Sequence, residues 1–144
     1  MAKRILVPLG KREANQAVLP LVAPVARDSG ATVRLLRVYS IPDHVVGPHG
    51  RTVAYVDQEM DSLSRLGVME LKAIGETSLD GVPVETVVRF GEPVAEILTE
   101  AEAFGADLIA LTTTERSRLR RALVGGTVDD IIGKATVPAL VLRA

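Results

Sequence analysis

The residues best suited to chemistry in this sequence are a glycine pair followed by a hydroxyl and two acids, Gly125-Gly126-Thr127-Val128-Asp129-Asp130. The threonine and the acid three residues later fit a capping box, which predicts a helix beginning near Thr127. Glycines ahead of a helix N-terminus leave backbone N–H groups open to an anion such as phosphate. The alternative is that the pair only turns the chain, and the motif taken alone favours that interpretation.

An arginine-rich stretch, residues 112–123, comes just before this glycine pair and is too polar to be core. Its arginines are Arg116, Arg118, Arg120 and Arg121. Charge runs are most often solvated, which predicts that these side chains face solvent. The alternative is a clamp that also uses Lys11 and Arg12 to hold a phosphate or an acidic partner, because arginine suits bidentate contacts with oxyanions.

Both histidines lie in one connection, residues 39–51, together with several prolines and glycines. Asp43, His44 and His49 are the only combination there that suggests a metal site. Their separation is not fixed by a helix or strand, so a loop with two exposed histidines is the favoured interpretation and no metal site is predicted.

No residue pattern predicts catalysis. Ser29 and Ser117 have no histidine placed by a local motif, and the sequence contains neither a nucleophile elbow nor a cysteine. Glu13, Glu115 and Asp129 could approach a sheet edge, but acids in such positions more often cap helices. The sequence therefore favours a binding protein over an enzyme.

The elements that must position these residues alternate strictly between strand and helix. Hydrophobic periodicity predicts strands at 5–9, 32–38, 82–90, 107–111 and 137–142, and helices at about 14–30, 52–78, 93–105 and from 127 to before Pro138. Right-handed crossovers then give an open, doubly wound, five-stranded parallel sheet of order 3-2-1-4-5 with helices on both faces. The loops 10–15 and 112–127 are expected to meet at its switch point, between the first and fourth strands.

Two helices carry unusual residues. Pro20 and Pro24 predict a kink or a late start in the first helix, because each lacks a backbone donor. Gly67 lies on the apolar stripe of the second helix, which predicts close packing on the sheet. Leu66 and Met69 are expected to widen that stripe as core residues.

Composition limits the class of protein. With 144 residues, 47% of them hydrophobic, and a mean hydropathy of +0.25, the chain is expected to form a single domain over residues 1–144. A net charge of −1 and a pI of about 6.1 argue against nucleic acid or an acidic membrane as partner. The first apolar run is too short for a signal sequence or membrane span, so a cytoplasmic protein is expected.

Several blocks, in order and at matching separations, resemble the universal stress protein family. They are Ile5–Pro8, Leu35–Val38, Gly91–Pro93, Ala106–Ile109, Gly126–Val128 and Val137–Val141. The resemblance implies an open five-stranded parallel sheet, and many members of that family bind ATP or form dimers. It places a nucleotide site at Pro8, Leu9, Gly10, Val38, Thr112, Thr113, Arg116, Gly126, Thr127 and Val128.

The sequence departs from the ATP-binding members it resembles. Their loop reads glycine, two residues, glycine, nine residues, glycine and then serine or threonine, and its first two glycines fall here on Thr113 and Arg116. An aspartate that meets adenine in those members corresponds to Gly10. ATP is therefore a doubtful ligand.

The resemblance and its departures together favour a stress-response binding or regulatory domain that binds ATP weakly or not at all. It is expected to form a homodimer through the last strand and to dock a protein partner. The alternatives are an ATP-binding switch that hydrolyses adenine nucleotide slowly, and an assembly subunit with a vestigial pocket.

Overall fold

A five-stranded, all-parallel sheet of order β3-β2-β1-β4-β5 forms the centre of the molecule. The computed structural model describes residues 3–11, 13–42, 52–113, 131 and 133–143. The strands are β1 (Arg4–Pro8), β2 (Thr32–Tyr39), β3 (Val84–Phe90), β4 (Leu108–Thr113) and β5 (Ala139–Arg143), and the helices are α1 (Leu19–Ser29), α2 (Thr52–Ser78) and α3 (Pro93–Phe104). Residues 131, 133 and 134 are also helical. The predicted fold class and strand order are confirmed.

Side chains alternate across β1 and divide the core into two layers. Ile5, Val7 and Leu9 face a cluster that includes residues of α1 and α2. Leu6 faces a second cluster that includes α3 and Ile131. Because helices cover both faces, β1 and β4 carry continuous apolar runs, Ile5–Val7 and Leu108–Leu111, as in other doubly wound sheets.

The first helix starts late, as predicted. Residues Glu13–Val18 form a 3₁₀ helix, and α1 begins at Leu19 with Pro20 in its first turn, where a missing N–H is tolerated. Pro24 lies inside α1. Gly30 ends the helix at φ 67°, and its N–H donates to the Ala26 carbonyl.

Gly67 packs closely on the sheet, as predicted. A Cβ at this position would lie 2.9 Å from Val88 Cγ2 and 3.0 Å from the Tyr39 hydroxyl. The prediction that Leu66 and Met69 widen the buried stripe is wrong, since they are 46% and 66% exposed. At about 100° per residue, Leu66 projects sideways from Gly67 and Met69 lies about 200° around the helix.

Candidate functional site

A cavity of about 370 Å³ lies where β1 and β2 end at the carboxyl edge of the sheet. Its walls include Gly10 and Lys11 after β1, Arg37, Val38 and Tyr39 from β2, and Glu59 from α2. This volume falls at the lower end of the range for small-molecule sites, roughly 300–1,000 Å³. The carboxyl edge is also where open α/β sheets bind their ligands.

A larger groove of about 600 Å³ lies elsewhere, between the end of α2 and the start of β3. It is lined by Gly75, Leu79 and Val84 together with exposed charged residues such as Lys72 and Glu76. None of the residues predicted to bind a ligand is in it. The smaller cavity is therefore the better candidate, despite its size.

Of the site residues predicted from sequence, Gly10 and Val38 line the smaller cavity. Pro8 ends β1 and pairs in register with Leu36. Leu9 is 2% exposed with its side chain in the core, and its N–H donates to the Leu36 carbonyl over 2.8 Å. Pro8 and Leu9 thus shape the backbone that leads to the cavity.

Thr112 has a structural partner at the end of β4. Its hydroxyl oxygen accepts a hydrogen bond from the Val18 backbone N–H at 3.1 Å, which ties β4 to the 3₁₀ helix. Thr113 is the last residue of β4. Arg116, Gly126, Thr127 and Val128 lie outside the described residues, as do Arg12, Asp43, His44, His49, Glu115, Ser117, Arg118, Arg120, Arg121 and Asp129.

Arg37 is the site residue that sequence reasoning missed. It is 3% exposed, and its Nε and Nη2 atoms donate to the carbonyls of Leu9 and Gly10, each over 3.2 Å. Its Nη1 atom lies 3.3 Å from a Glu70 carboxylate oxygen. The sequence did contain a signal for this residue. Arg37 lies between Leu35 and Tyr39 on the face of β2 that points into the core, where a charged side chain is unusual.

The cavity also has an aromatic wall. The rings of Tyr39 and Phe90 stack with centroids 5.7 Å apart, and Lys11 Nζ lies 5.4 Å from the Tyr39 centroid, within the range of a cation–π contact. The Tyr39 hydroxyl is buried without a hydrogen-bond partner among the described residues. Gly67 leaves the space that this ring occupies.

A cluster of charged side chains lies on the face of the sheet opposite to Arg37. Glu100 of α3, 3% exposed, accepts hydrogen bonds from Arg34 and Arg89 at 2.5 and 2.7 Å. Burial opposes the charge of Arg34, but hydrogen bonds to Glu100 and Glu85 outweigh it and raise the Arg34 pKa. The hydrogen bond to Glu100 likewise raises the pKa of Arg89. Because these arginines are paired with acids, they join α3 to the sheet.

The described part of the chain offers neither a metal site nor a membrane span. No cluster of three or more histidine, cysteine, aspartate or glutamate residues there could hold a metal ion. None of the helices over the same residues is long and apolar enough to cross a membrane.

A doubly wound sheet of order 3-2-1-4-5 with a cavity at its carboxyl edge, beside β1 and β2, is typical of α/β domains that bind small ligands at that edge. The model of the universal stress protein family matches residues 1–143, and the chain belongs to that family.

Other proteins are similar to this chain over nearly its whole length. The chain is 25% identical to a universal stress protein of Methanocaldococcus jannaschii over 141 residues, covering 98% of this chain and 82% of the relative. The structure of the hypothetical protein MJ0577 matches with a TM-score of 0.77 at 22% identity, covering 99% of this chain and 96% of that one. The universal stress protein of Archaeoglobus fulgidus in complex with dAMP matches with a TM-score of 0.60 at 24% identity, covering 96% of each.

Proposed function

We propose that the protein is a single-domain regulatory member of the universal stress protein family, acting in the cytoplasm as a homodimer that binds ATP weakly or not at all. Its partner is another protein, and neither nucleic acid nor membrane is involved. The observation that carries the ATP part of this proposal is Gly10 in the wall of the cavity. In the ATP-binding members that the sequence resembles, an aspartate at this position meets the adenine.

The loss of that carboxylate has an energetic consequence. A hydrogen bond of this kind contributes about 0.5–1.5 kcal/mol in net terms. Thr113 and Arg116 replace two glycines that would let the backbone approach phosphate. Together the changes are expected to weaken ATP binding by roughly a hundredfold, since 1.4 kcal/mol corresponds to about a factor of ten.

Titration calorimetry with ATP and magnesium tests this part of the proposal. The natural sequence should show no binding in the low-micromolar range, whereas the combined variant Gly10→Asp, Thr113→Gly, Arg116→Gly should gain it. Replacing Gly10 with leucine in the same background is the matched control, because leucine has a similar size but no acceptor oxygen and should not restore binding. Low-micromolar binding by the unmodified protein contradicts the proposal.

The dimer part is supported by the position of β5. This strand pairs with β4 on one side and forms an edge of the described sheet, with its residues 139–142 only half-buried. An apolar edge strand exposes unpaired backbone groups and is a pairing liability unless a partner covers it. A second copy of the same strand would cover it with two-fold symmetry.

The alternative function is an ATP-binding switch with slow hydrolysis. The complex of the Archaeoglobus fulgidus relative with dAMP favours a nucleotide as ligand. A phosphate-release assay separates the two functions. The switch would hydrolyse ATP, and a Gly10 variant would change its rate, whereas the regulatory domain would release no phosphate above background.

A further inference from the structure

The outer edge of β3 carries a row of free backbone groups. In the described sheet β3 pairs only with β2, in one unbroken register over residues 84–90. The Val33 N–H donates to the Pro83 carbonyl, and the Gly91 N–H donates to the Tyr39 carbonyl, each over 2.9 Å. Because backbone groups alternate along a strand, the odd-numbered residues of β3 face β2. The groups that point away from β2 belong to Val84, Thr86, Val88 and Phe90. Among the residues that the structure describes, none of these N–H and C=O groups has a hydrogen-bond partner.

The groove of about 600 Å³ runs beside the first half of this edge, between β3 and the end of α2. Val84 and Thr86 line it from the strand, and Gly75 and Leu79 line it from the helix side. Leu79 is only 1% exposed and contributes an apolar floor. Because neighbouring strands lie roughly 4.7–4.9 Å apart, a strand added to β3 would point alternate side chains into this groove.

The direction of α2 fixes the order of the charges along the groove. Gly67 lies against Val88, whereas Gly75, further along the helix, lies against the earlier strand residue Val84. α2 therefore runs antiparallel to β3, and the groove is basic toward the carboxyl edge of the sheet and acidic toward its amino edge. The charged residues, in that order, are Lys72, Glu76 and Asp80.

These three charges are available to a partner. All three residues are exposed, and none forms a salt bridge with another residue that the structure describes. Lys72 and Glu76 are separated by four residues of helix, a rise of about 6 Å. Residues on one face of a strand are about 6.6 Å apart, which is nearly the same distance. An extended segment can thus set an acidic side chain opposite Lys72 and a basic one, two positions away, opposite Glu76 and Asp80.

We propose that the edge of β3 docks an extended segment of a partner protein, which adds a strand to the sheet and carries an acidic and a basic side chain two positions apart. Hydrogen bonds to the free backbone groups of β3 supply affinity, and the side chains in the groove supply specificity. This docking surface rests on the proposed function, because the occupant is taken to be another protein, and it adds the chemistry of the docked segment.

A second copy of the chain is the competing occupant of this edge. Its own β3, paired antiparallel about a two-fold axis, would turn valine, threonine and phenylalanine side chains toward the groove. That strand would place no charge opposite Glu76 and Asp80. The charged residues of β3, Glu85 and Arg89, lie on the other face of the sheet, in salt bridges to Arg34 and to α3. A partner segment with the acidic and basic pattern therefore matches the groove better.

Hydrogen exchange measured by NMR on the ¹⁵N-labelled protein locates the docked segment. The probes are two capped synthetic peptides of alternating threonine and valine, in which two successive threonines are replaced by Glu and Lys in one peptide and by Lys and Glu in the other. The first order matches an antiparallel strand and the second a parallel one. With one of them, the amides of Thr86 and Val88 should exchange about tenfold more slowly at ten times the Kd, while the amide of Val87, which already faces β2, should not change.

Three results would overturn the inference. The first is no slowing with either peptide, and the second is slowing at β5 instead of β3. The third is protection of Thr86 and Val88 that is present without peptide and is lost on dilution, as expected if a second copy occupies the edge.

Modified peptides separate backbone pairing from side-chain contact. N-methylation of every second amide blocks one edge of the peptide backbone. Of the two alternate methylation patterns, one should abolish binding and the other should keep it, and the protein itself is unchanged in both measurements. Equal affinities for the two patterns would contradict the addition of a strand.

A charge reversal tests the specificity. Glu76→Lys should weaken binding of the active peptide by about fivefold, as for a surface ion pair, and replacing the lysine of the peptide with glutamate should restore it. Glu102→Lys on the exposed surface of α3 is the matched control and should leave the affinity unchanged. Equal weakening by the two variants would mean that the peptide responds only to the net charge of the protein, which also overturns the inference.

The peptide measurements and the ATP titration fail independently. Peptide binding at β3 by a protein that also binds ATP tightly would support this docking surface and reject the proposed function. Weak ATP binding and a dimer through β5, with no slowing of exchange at β3, would do the reverse.

Discussion

Single residues in this protein stabilise the fold in two ways: by accepting hydrogen bonds from backbone N–H groups, and by allowing a helix to pack closely on the sheet. Asp107 shows the first effect, since one of its carboxylate oxygens accepts hydrogen bonds from the backbone N–H groups of Lys3 and Arg4 at 2.9 and 3.0 Å. The hydrogen bond from Lys3 contributes most to lowering the pKa of Asp107, and the hydrogen bond from Arg4 contributes next. They fix the start of β1 beside the start of β4, at the edge of the sheet opposite to the cavity.

The lowered pKa of Asp107 gives stability a defined pH dependence. Its folded-state pKa lies below the unfolded value of about 3.9, so the contribution is fully present above about pH 4 and is lost as pH falls through the folded pKa. Urea unfolding between pH 3 and 7 should show that Asp107→Asn loses less stability in the acid range than the natural protein does. Asp57→Asn on the exposed surface of α2 controls for the loss of one negative charge. Parallel curves for Asp107→Asn and the natural protein would contradict the assignment.

Gly67 shows the second effect. Gly67→Ala should destabilise the protein by about 1–3 kcal/mol, because the added methyl group would overlap Val88 and Tyr39. Gly133→Ala is the matched control, since a Cβ added to this helical glycine would meet open space. The control should be neutral or stabilising by up to about 1 kcal/mol, the usual helix preference of alanine. Equal unfolding midpoints in urea for the two variants would show that α2 can move away from the sheet.

At the scale of elements, α3 is joined to β2 and β3 by polar contacts as well as by its apolar face. Glu92 caps its N-terminus, accepting from the N–H groups of Val94 and Ala95 at 3.2 and 2.7 Å. Further along the helix, Glu100 lies between Arg34 and Arg89. The Arg34 guanidinium also stacks 4.1 Å from the centroid of the Phe104 ring. These contacts fix the position of α3 along the strands.

Removing the central acid should loosen this helix. Glu100→Gln should lower the free energy of unfolding by about 1–3 kcal/mol, less than for a fully buried ion pair because both arginines are partly exposed. Glu85→Gln is the control, since Glu85 contacts Arg34 from the surface with its side chain 49% exposed. It should cost at most about 1 kcal/mol. Urea unfolding of both variants at neutral pH measures the difference, and a Glu85 effect as large as that of Glu100 would contradict this account.

At the scale of the whole molecule, β3 and β5 form the two edges of the described sheet, and the proposed dimer uses only β5. Sedimentation at micromolar concentration should give a dimer, and Val141→Lys on β5 should dissociate it by placing a charge in the proposed interface. Thr86→Lys on the opposite edge strand, β3, is the control and should leave the dimer intact. A monomeric natural protein contradicts the dimer, and dissociation by the β3 variant alone would place the interface at the other edge.

The sequence by itself determined the order and type of the elements, because the signals for these are local. Hydrophobic period, the glycine at position 30 and the prolines near helix starts act within a few residues of the chain, and the hydrophobic period alone predicted α2 with the observed boundaries. Even the close packing of Gly67 could be predicted, since a glycine on a buried stripe brings the helix backbone near whatever it packs against. Crossover handedness then gave the strand order.

Only the tertiary structure decided which polar groups meet. Arg37 lies 28 residues from Leu9, and Arg34 lies 66 residues from Glu100, so no local pattern pairs them. Likewise, the exposure of Leu66 and Met69 follows from the rotation of α2 about its axis, which its contacts with β3 set. The hydrogen bonds from Arg37 to the carbonyls of Leu9 and Gly10 likewise depend on the register of β1 and β2.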